Sequence, residues 1–277
     1  MIEFLYTVLY EPLFNFLVWI YDVLPYKDLG VAIILLTLVV KLVLFYPSLK
    51  GLRSQKSLQD AQPKIEEIKK KYADDKEEMG RQIMAFYKEN KVNPMSSCLP
   101  LLIQLPILWA LFRVFLIFKN ENLVDGLLPA EQIARLYGPL AEKYADVVIN
   151  KSFLGFVDLG MEHNIVLAVL AGIVTFASAK MLSSKRAAVQ SKGAKDENMA
   201  AAINKQMVYF MPIITVVFGY TFPAGVTLYW LCSSTFQWGQ QLIFLREKKK
   251  MEGEDGGQKQ TVESTAKEKE RKSEEKK

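Results

Sequence analysis

Few residues in this sequence are of the types that carry out enzymatic or metal chemistry. His163 is the single histidine, which excludes a His-based metal cluster and leaves a His-dependent catalytic triad unsupported. The two cysteines, Cys98 and Cys232, lie far apart in the sequence and show neither metal-ligand nor redox spacing. A Gly-rich phosphate-binding loop is also missing. The sequence therefore argues against an enzyme and predicts no cofactor and no metal.

The residue with the most unusual chemical setting is Lys41, a cation inside a long apolar run. At 1.5 Å per residue it lies about 10 Å from the cytoplasmic end of that run. A charged residue within a membrane span is costly and is a functional hypothesis by default. The alternative is snorkelling, in which the lysine stem carries the charge toward the headgroups, and position alone does not separate the two. Thr37 lies one turn earlier on the same helical face.

Uncharged polar residues in the other apolar runs are candidates to line a cavity with Lys41. Each of them, taken alone, is more often an interhelical hydrogen-bonding residue than a cavity residue. The apolar runs contain no Asp or Glu, so Lys41 would have no carboxylate partner within the membrane. Such a cation needs water nearby. This predicts a wet cavity, open to the cytoplasm, in which Lys41 meets an anionic group of a binding partner. The candidates are Gln104, Thr175, Ser178, Ser233 and Gln237.

Long apolar runs separated by clusters of charge are the elements that must position these residues. A spanning helix needs about 20 mostly apolar residues, and lipid offers the backbone no hydrogen-bond partners, so these runs should be helices. Buried helices of a soluble core are the alternative, but they do not account for so many long runs with so little charge. The sequence therefore predicts an all-α integral membrane protein with five transmembrane helices, at residues 29–49, 98–118, 164–182, 207–222 and 224–245.

The segment before the first span, residues 1–28, predicts an outer amphipathic helix. Glu3, Thr7, Glu11 and Asn15 recur every four residues, which draws one polar stripe along a helix. Such a helix would lie on the outer surface of the membrane. A sixth span or an uncleaved signal anchor is the alternative.

The other connecting segments are predicted as follows. Residues 50–97 carry two apolar stripes at helical spacing, which predict a cytoplasmic helical hairpin with Pro63 in the first turn of its first arm. Residues 119–163 are an outer loop, with a short apolar helix at 152–160. Residues 183–206 are a cytoplasmic loop. The composition of residues 246–277 cannot bury a core and predicts a disordered cytoplasmic tail.

The distribution of Lys and Arg predicts the orientation of the chain. Residues 48–97 carry eleven basic residues, residues 180–205 carry six and the tail from Arg246 carries eleven, whereas residues 119–163 carry only four. Basic loops face the cytoplasm, so the N-terminus lies outside and the C-terminus inside. The net charge of +5 therefore reflects membrane topology, and nucleic acid is not its first explanation.

Short motifs in a fixed order resemble the YidC-type insertases of the bacterial inner membrane, over about Tyr10 to Leu245. They begin with the segment that leads to Thr37 and Lys41 and end in the last predicted span. The motifs are Gly30-Val31-Ala32-Ile33-Ile34, Gln62-Pro63, Asn93-Pro94, Cys98-Leu99-Pro100, Gln104-Leu105-Pro106, Met211-Pro212, Phe222-Pro223-Ala224-Gly225 and Leu228-Tyr229-Trp230.

The resemblance implies five core helices around a hydrophilic groove that is open to the cytoplasm and lipid and closed to the outside. The family carries a functional basic residue in the first core helix, usually Arg. Lys41 stands there in this sequence, so the charge is kept but the planar fork that binds carboxylates is lost. The resemblance also implies functional roles for Thr37 and Trp230. The third span departs from the family, with Ser178 in Ala-Ser-Ala where Gln is expected.

The function that the resemblance implies is a membrane protein insertase and chaperone that works without nucleotide hydrolysis. It would move nascent hydrophobic helices and short polar outer segments into the lipid bilayer of the bacterial cytoplasmic (inner) membrane. The Sec translocon and the ribosome are further partners that the sequence leaves open, and no direct nucleic-acid specificity is implied. The alternatives are a small polytopic transporter or channel, for which paired halves around a midplane site are not visible, and a structural assembly factor.

Overall fold

Helices make up almost all the regular structure of the residues that the structure describes. The computed structural model describes residues 2–93, 99–182 and 195–246. The chain divides into two compact units, Met1–Trp238 and Gly239–Lys277. In the second unit, residues 239–246 are described and are helical. The predicted tail beyond them lies outside the described residues, as does residue range 183–194 of the predicted cytoplasmic loop.

The N-terminal helix, α1, consists of Ile2–Leu5, the π-helical turn Tyr6–Tyr10 and Glu11–Val23. Pro12 lies inside this continuous helix, just after the π-helical turn, and has no N–H to donate to the preceding turn. The helix ends at Leu24, whose extended backbone is the conformation favoured before a proline.

The next three helices are α2 at Leu29–Val43, α3 at Phe45–Lys71 and α4 at Lys76–Glu89. The axes of α2 and α3 differ by 65° across a break at Leu44, so the helix of the first predicted span ends before residue 49. Helices α3 and α4 pack against each other. Pro63 lies inside α3, and its predicted place in a first turn is wrong because α3 begins 18 residues earlier, at Phe45. Pro63 therefore interrupts the helical hydrogen bonds of α3.

Four more long helices follow in the described part of the chain: α5 at Leu99–Ile117, α6 at Ile165–Leu182, α7 at Lys195–Thr221 and α8 at residues 224–238. Helices α6 and α7 make the most extensive helix pair, and Gly172 brings them close. A Cβ atom on Gly172 would lie 2.4 Å from the side chain of Val216, so a larger residue is excluded without a shift. Helix α7 begins twelve residues before the predicted start at 207.

The segment between α5 and α6 has little helix. It contains a 3₁₀ turn at Asn120–Asn122 and two short helices, Ala130–Ile133 and Pro139–Lys143. The strands β1 (Ser152–Phe153) and β2 (Val157–Asp158) then pair antiparallel. The short helix predicted at 152–160 is wrong, because Leu154 and Gly155 have positive φ angles of 51° and 81°, which turn the chain back as a hairpin.

The buried core lies where α1, α2 and α5 meet. Phe14 and Leu17 of α1, Leu36 of α2, and Leu111 and Val114 of α5 are fully buried in one apolar cluster. The N-terminal helix is thus anchored to the helices that follow it, because one of its faces contributes to their common core.

One helix among the described residues, Glu3–Val23, is by itself long and apolar enough to cross a membrane. The bent pair of α2 and α3 passes the same test when taken as one span. Leu102–Ile117, Ile165–Met181 and Val208–Thr221 are apolar but shorter. Length and composition thus single out the segment that the sequence assigned to the outer surface, and the number of spans stays a prediction.

Candidate functional site

Helix α2 presents Thr37 and Lys41 one turn apart. Thr37 is 1% exposed, and its hydroxyl donates a hydrogen bond of 2.6 Å to the Ile33 carbonyl one turn back. This bond satisfies the hydroxyl within its own helix. Lys41 is half-buried and makes no hydrogen bond or ion pair with any residue that the structure describes. An unpaired cation in this position can accept an external anionic partner.

Helix α8 contacts the first half of α2 and the first residue of α3. At one end, a Cβ atom placed on Gly225 would lie 3.5 Å from Cδ1 of Ile33. Beyond Lys41 and the break at Leu44, the ring of Phe45, the first residue of α3, meets the ring of Phe236 edge to face, with their centroids 6.4 Å apart. Lys41 lies between these two contacts along the chain.

Two of the predicted residues, Gln104 and Ser233, meet at the hydroxyl of Tyr229. The Nε2 atom of Gln104 donates a hydrogen bond of 3.0 Å to Tyr229 Oη, and the side chain of Ser233 lies near the same hydroxyl. Tyr229 is 2% exposed. This contact joins α5 to α8 and gives the buried Tyr229 hydroxyl a hydrogen-bond partner, as buried polar groups require.

Trp230 and Gln237 lie on α8 but differ in their surroundings. Trp230 is half-buried in an aromatic group, with ring centroids 5.9 Å from Phe222 and 6.4 Å from Phe218. Phe222 also contacts Phe112 of α5, at 5.2 Å between centroids. Gln237 is exposed. Trp230 thus belongs to a packed aromatic cluster, whereas Gln237 is open to a partner.

The remaining predicted residues, Thr175 and Ser178, lie on α6. Ser178 is 8% exposed and Thr175 is half-buried. Helix α6 packs along α7, with Gly172 one turn from Thr175. A place for these two side chains in one cavity with Lys41 stays a prediction. Among the described residues, no cluster of His, Cys, Asp and Glu is suited to hold a metal ion.

Sequence reasoning missed Tyr229 as a site residue and noted it only within a motif. A signal was available, because Tyr229 and Ser233 are four residues apart and so share one helical face. A tyrosine hydroxyl in an apolar span also needs a polar partner. The pairing itself depends on how α5 packs against α8, which no local pattern encodes.

Polar residues of α1 bind the segment between α5 and α6. Glu11 forms an ion pair of 3.1 Å with Arg135, and the Asn15 side chain accepts a hydrogen bond of 2.6 Å from the backbone N–H of Tyr137. Near the end of α1, Asp22 pairs with Lys143 at 2.6 Å and accepts a hydrogen bond of 2.9 Å from the Tyr144 hydroxyl. Burial, together with this carboxylate, raises the pKa of Tyr144 above its usual range. Two residues of the predicted polar stripe, Glu11 and Asn15, therefore bind another segment of the protein.

Comparison with known proteins gives one consistent result. The family model described as 60Kd inner membrane protein matches residues 19–252. A protein of Fusobacterium nucleatum named membrane protein insertase YidC is 34% identical over 220 residues, which cover 79% of this chain and 87% of that protein. A protein of the same name from Clostridium tetani is 32% identical over 219 residues, 79% of this chain and 82% of that protein.

Some relatives of the same name are longer. The Streptomyces avermitilis protein is 28% identical over 222 residues, which cover 78% of this chain but 51% of that protein. The chain thus matches nearly the whole of the shorter relatives and about half of this longer one.

Proposed function

Because the chain belongs to the 60Kd inner membrane protein family, we propose that it is a membrane protein insertase. It transfers nascent hydrophobic helices and their short polar outer segments into the lipid bilayer. Relatives named membrane protein insertase YidC, 32 to 34% identical over most of their own length, support this function. The alternative, a small transporter or channel, is not favoured by these names.

The structural observation that carries the proposal is the unpaired Lys41, which lies along the chain between two residues that contact α8, Ile33 of α2 and Phe45 of α3. We assign the client groove to this region, with Lys41 and Thr37 on one wall and Trp230, Ser233 and Gln237 on the other. Gln104 joins the wall through Tyr229. Thr175 and Ser178 complete the groove from α6. Five core helices around such a groove would leave it open to the cytoplasm and closed to the outside.

The mechanism that follows uses charge and water rather than covalent chemistry. The polar outer segment of the client enters the groove, where Lys41 partly neutralises its acidic residues. The wet groove shortens the path through hydrocarbon and so lowers the desolvation cost of that segment. The apolar helix of the client slides into lipid past α5 and α8. Apolar transfer is itself favourable, so no nucleotide hydrolysis is required.

The hairpin formed by α3 and α4 is the docking element for the nascent client. Its apolar seam includes Ala61 and Ile65, both buried, so its shape is defined by packing. The Sec translocon and the ribosome are further partners under this proposal. Their contacts would fall on the cytoplasmic side, where the basic loops lie.

We place the protein in the bacterial inner membrane as a multi-pass protein with its N-terminus outside and its C-terminus in the cytoplasm. Contacts at Glu11, Asn15 and Asp22 bind α1 along its length to residues 135–144, which supports a helix lying on the outer surface. Cysteines introduced at Glu131, Lys76 and Lys267 test the orientation. Impermeant thiol reagents should reach only the first from outside intact cells, and outside labelling at Lys76 would contradict the assignment.

Reconstitution into liposomes with a single-span client tests the function itself. Client insertion without ATP is the result expected of an insertase. Solute flux without insertion would point to a transporter or channel, and neither activity would point to a structural assembly factor. The matched sample is the same liposome preparation without the protein, which gives the spontaneous insertion of the client.

A further inference from the structure

The segment Lys151–Met161, here called the strap, touches three core helices at the same end of the molecule. It contains the hairpin of β1 and β2, and it follows the outer segment that binds α1. Its contacts with α2 and α8 are made at the residues where each helix begins, and its contact with α5 is made where that helix ends. This arrangement suits a segment that holds helix ends together.

Asp28 joins the strap to α2. One carboxylate oxygen, Oδ1, accepts a hydrogen bond of 2.9 Å from the backbone N–H of Val31 and so caps the helix. The other oxygen, Oδ2, accepts a hydrogen bond of 2.7 Å from the backbone N–H of Leu154 in the strap. One side chain thus serves both the helix and the hairpin.

Gly30 allows the strap to approach α2 closely. A Cβ atom at this position would lie 2.1 Å from Cδ2 of Phe153, a distance that no side chain can tolerate. Gly30 is buried, and the ring of Phe153 covers it. The glycine is therefore explained by contact with the strap, since helical backbone alone would favour alanine.

The far end of the strap binds the beginning of α8 and the end of α5. The carbonyl of Leu159 accepts a hydrogen bond of 2.9 Å from Gly225, and the carbonyl of Met161 accepts one of 2.8 Å from Ala224. These are N–H groups of the first turn of α8, which have no partner within the helix. A Cβ atom on Gly160 would lie 2.5 Å from the carbonyl oxygen of Phe118, so the strap also rests on the end of α5.

We propose that the strap is the outer seal of the groove and that Asp28 is a positioning residue that holds it on α2. This inference rests on the insertase proposal, because it assigns the strap to the closed end of that groove. The strap fixes α2, α5 and α8 where they begin or end on the outer side. The opposite ends of these helices are free of it, so the walls can separate toward the cytoplasm without opening a path to the outside.

The test uses Asp28→Asn, because asparagine keeps the cap and breaks only the contact with the strap. With its oxygen toward Val31, its amide N–H group faces the N–H of Leu154, so donor meets donor. Asp75→Asn is the matched control, since Asp75 caps α4 through Glu77 and Glu78 and also loses one negative charge at a helix N-terminus. Phe153→Ala is the second variant, because it removes packing on Gly30 and leaves the cap intact.

Two measurements are made on the full chain in proteoliposomes. Hydrogen exchange should speed up about tenfold over residues 152–158 in Asp28→Asn, as expected for the loss of one charge-assisted hydrogen bond, and should not change over 29–36. The second measurement uses a cysteine in place of Ile33, which is 1% exposed and contacts Gly225, with Cys98 and Cys232 replaced by serine. Its labelling by an impermeant reagent added outside should rise about tenfold in Asp28→Asn and in Phe153→Ala.

The outcomes separate the seal from the insertase function. Faster outside labelling in both strap variants, with no change in Asp75→Asn, supports the seal even if no client is inserted. Faster exchange in the strap with unchanged labelling would overturn the seal, as would unchanged exchange. A rise in labelling that Asp75→Asn shares would also overturn it, because general destabilisation would then be the cause.

Discussion

The Gln104 amide donates a hydrogen bond to the Tyr229 hydroxyl over 3.0 Å, and this contact joins α5 to α8. Tyr229 is 2% exposed, so the hydroxyl has no access to bulk water. The Ser233 side chain lies near the same oxygen. The junction holds one proposed groove wall by a polar contact in an apolar setting, where an unmade hydrogen bond is costly.

Tyr229→Phe should therefore destabilise the protein by about 1 kcal/mol, the magnitude typical of interhelical hydrogen bonds in membrane proteins. The measurement is thermal unfolding in detergent. Tyr209→Phe is the control, because Tyr209 is 53% exposed on α7. Adding Gln104→Leu to Tyr229→Phe should recover part of the loss, since no donor is then left unpaired. Equal stability of the wild type and Tyr229→Phe would show that the bond contributes nothing.

The hydrogen bond at Tyr229 also shows what a sequence can predict about the site. Gln104 and Ser233 were predicted to be site residues because polar side chains are rare in apolar runs. Their common partner follows from the packing of α5 on α8, which brings together residues 125 positions apart. Residue type selected Gln104 and Ser233 as candidates, and their membership of a functional site stays a prediction, whereas the pairing of Gln104 with Tyr229 depends on tertiary structure.

Gly172 carries a second prediction, about the packing of α6 on α7. The Cβ atom of Gly172→Ala would lie 2.4 Å from the Val216 side chain, and overpacking of this kind costs about 1 to 3 kcal/mol. Adding Val216→Ala should restore stability, because it removes the clashing methyl groups. Gly80→Ala is the control within a helix, since nothing lies within 4 Å of its Cβ position. Thermal unfolding of these three variants and the wild type is the measurement, and unchanged stability of Gly172→Ala would contradict the close contact.

The cytoplasmic hairpin and the tail should contribute differently to function. The tail from Arg246 carries eleven basic and nine acidic residues, so its positive and negative charges nearly cancel. Ribosomal RNA binding rests on excess positive charge and is sensitive to salt, which predicts a weak contribution from this tail. Deletion of residues 253–277 should leave insertion largely intact, whereas deletion of residues 64–88 should abolish it, because it removes the packed seam.

Ribosome co-sedimentation and client insertion, each at two salt concentrations, test the two deletions. A tail deletion that removes ribosome binding at physiological salt would make the tail the docking element and overturn this assignment. Loss of insertion in the hairpin deletion is informative only if the truncated protein still reaches the membrane, which flotation of the membranes establishes.

The fold was predictable where one physical rule dominates. Runs such as 165–182 are apolar over their whole length, and hydrophobicity alone identifies them as helices. The hairpin of β1 and β2 was missed, because its apolar residues suit either a helix or a strand and the decision falls at Leu154 and Gly155. The position of Pro63 was predicted wrongly, because local preference puts a proline at the start of a helix. In the structure α3 continues through Pro63.

The charge of Lys41 tests the central claim most directly. The measurement is insertion into proteoliposomes of two matched single-span clients, one with acidic and one with neutral residues in its outer segment. Lys41→Arg should insert both, whereas Lys41→Glu should fail mainly with the acidic client, since like charges then meet in the groove. Lys180→Glu, the same charge change at an exposed position near the end of α6, is the control and should insert both. Normal insertion of the acidic client by Lys41→Glu would contradict the account and leave snorkelling as the explanation of Lys41.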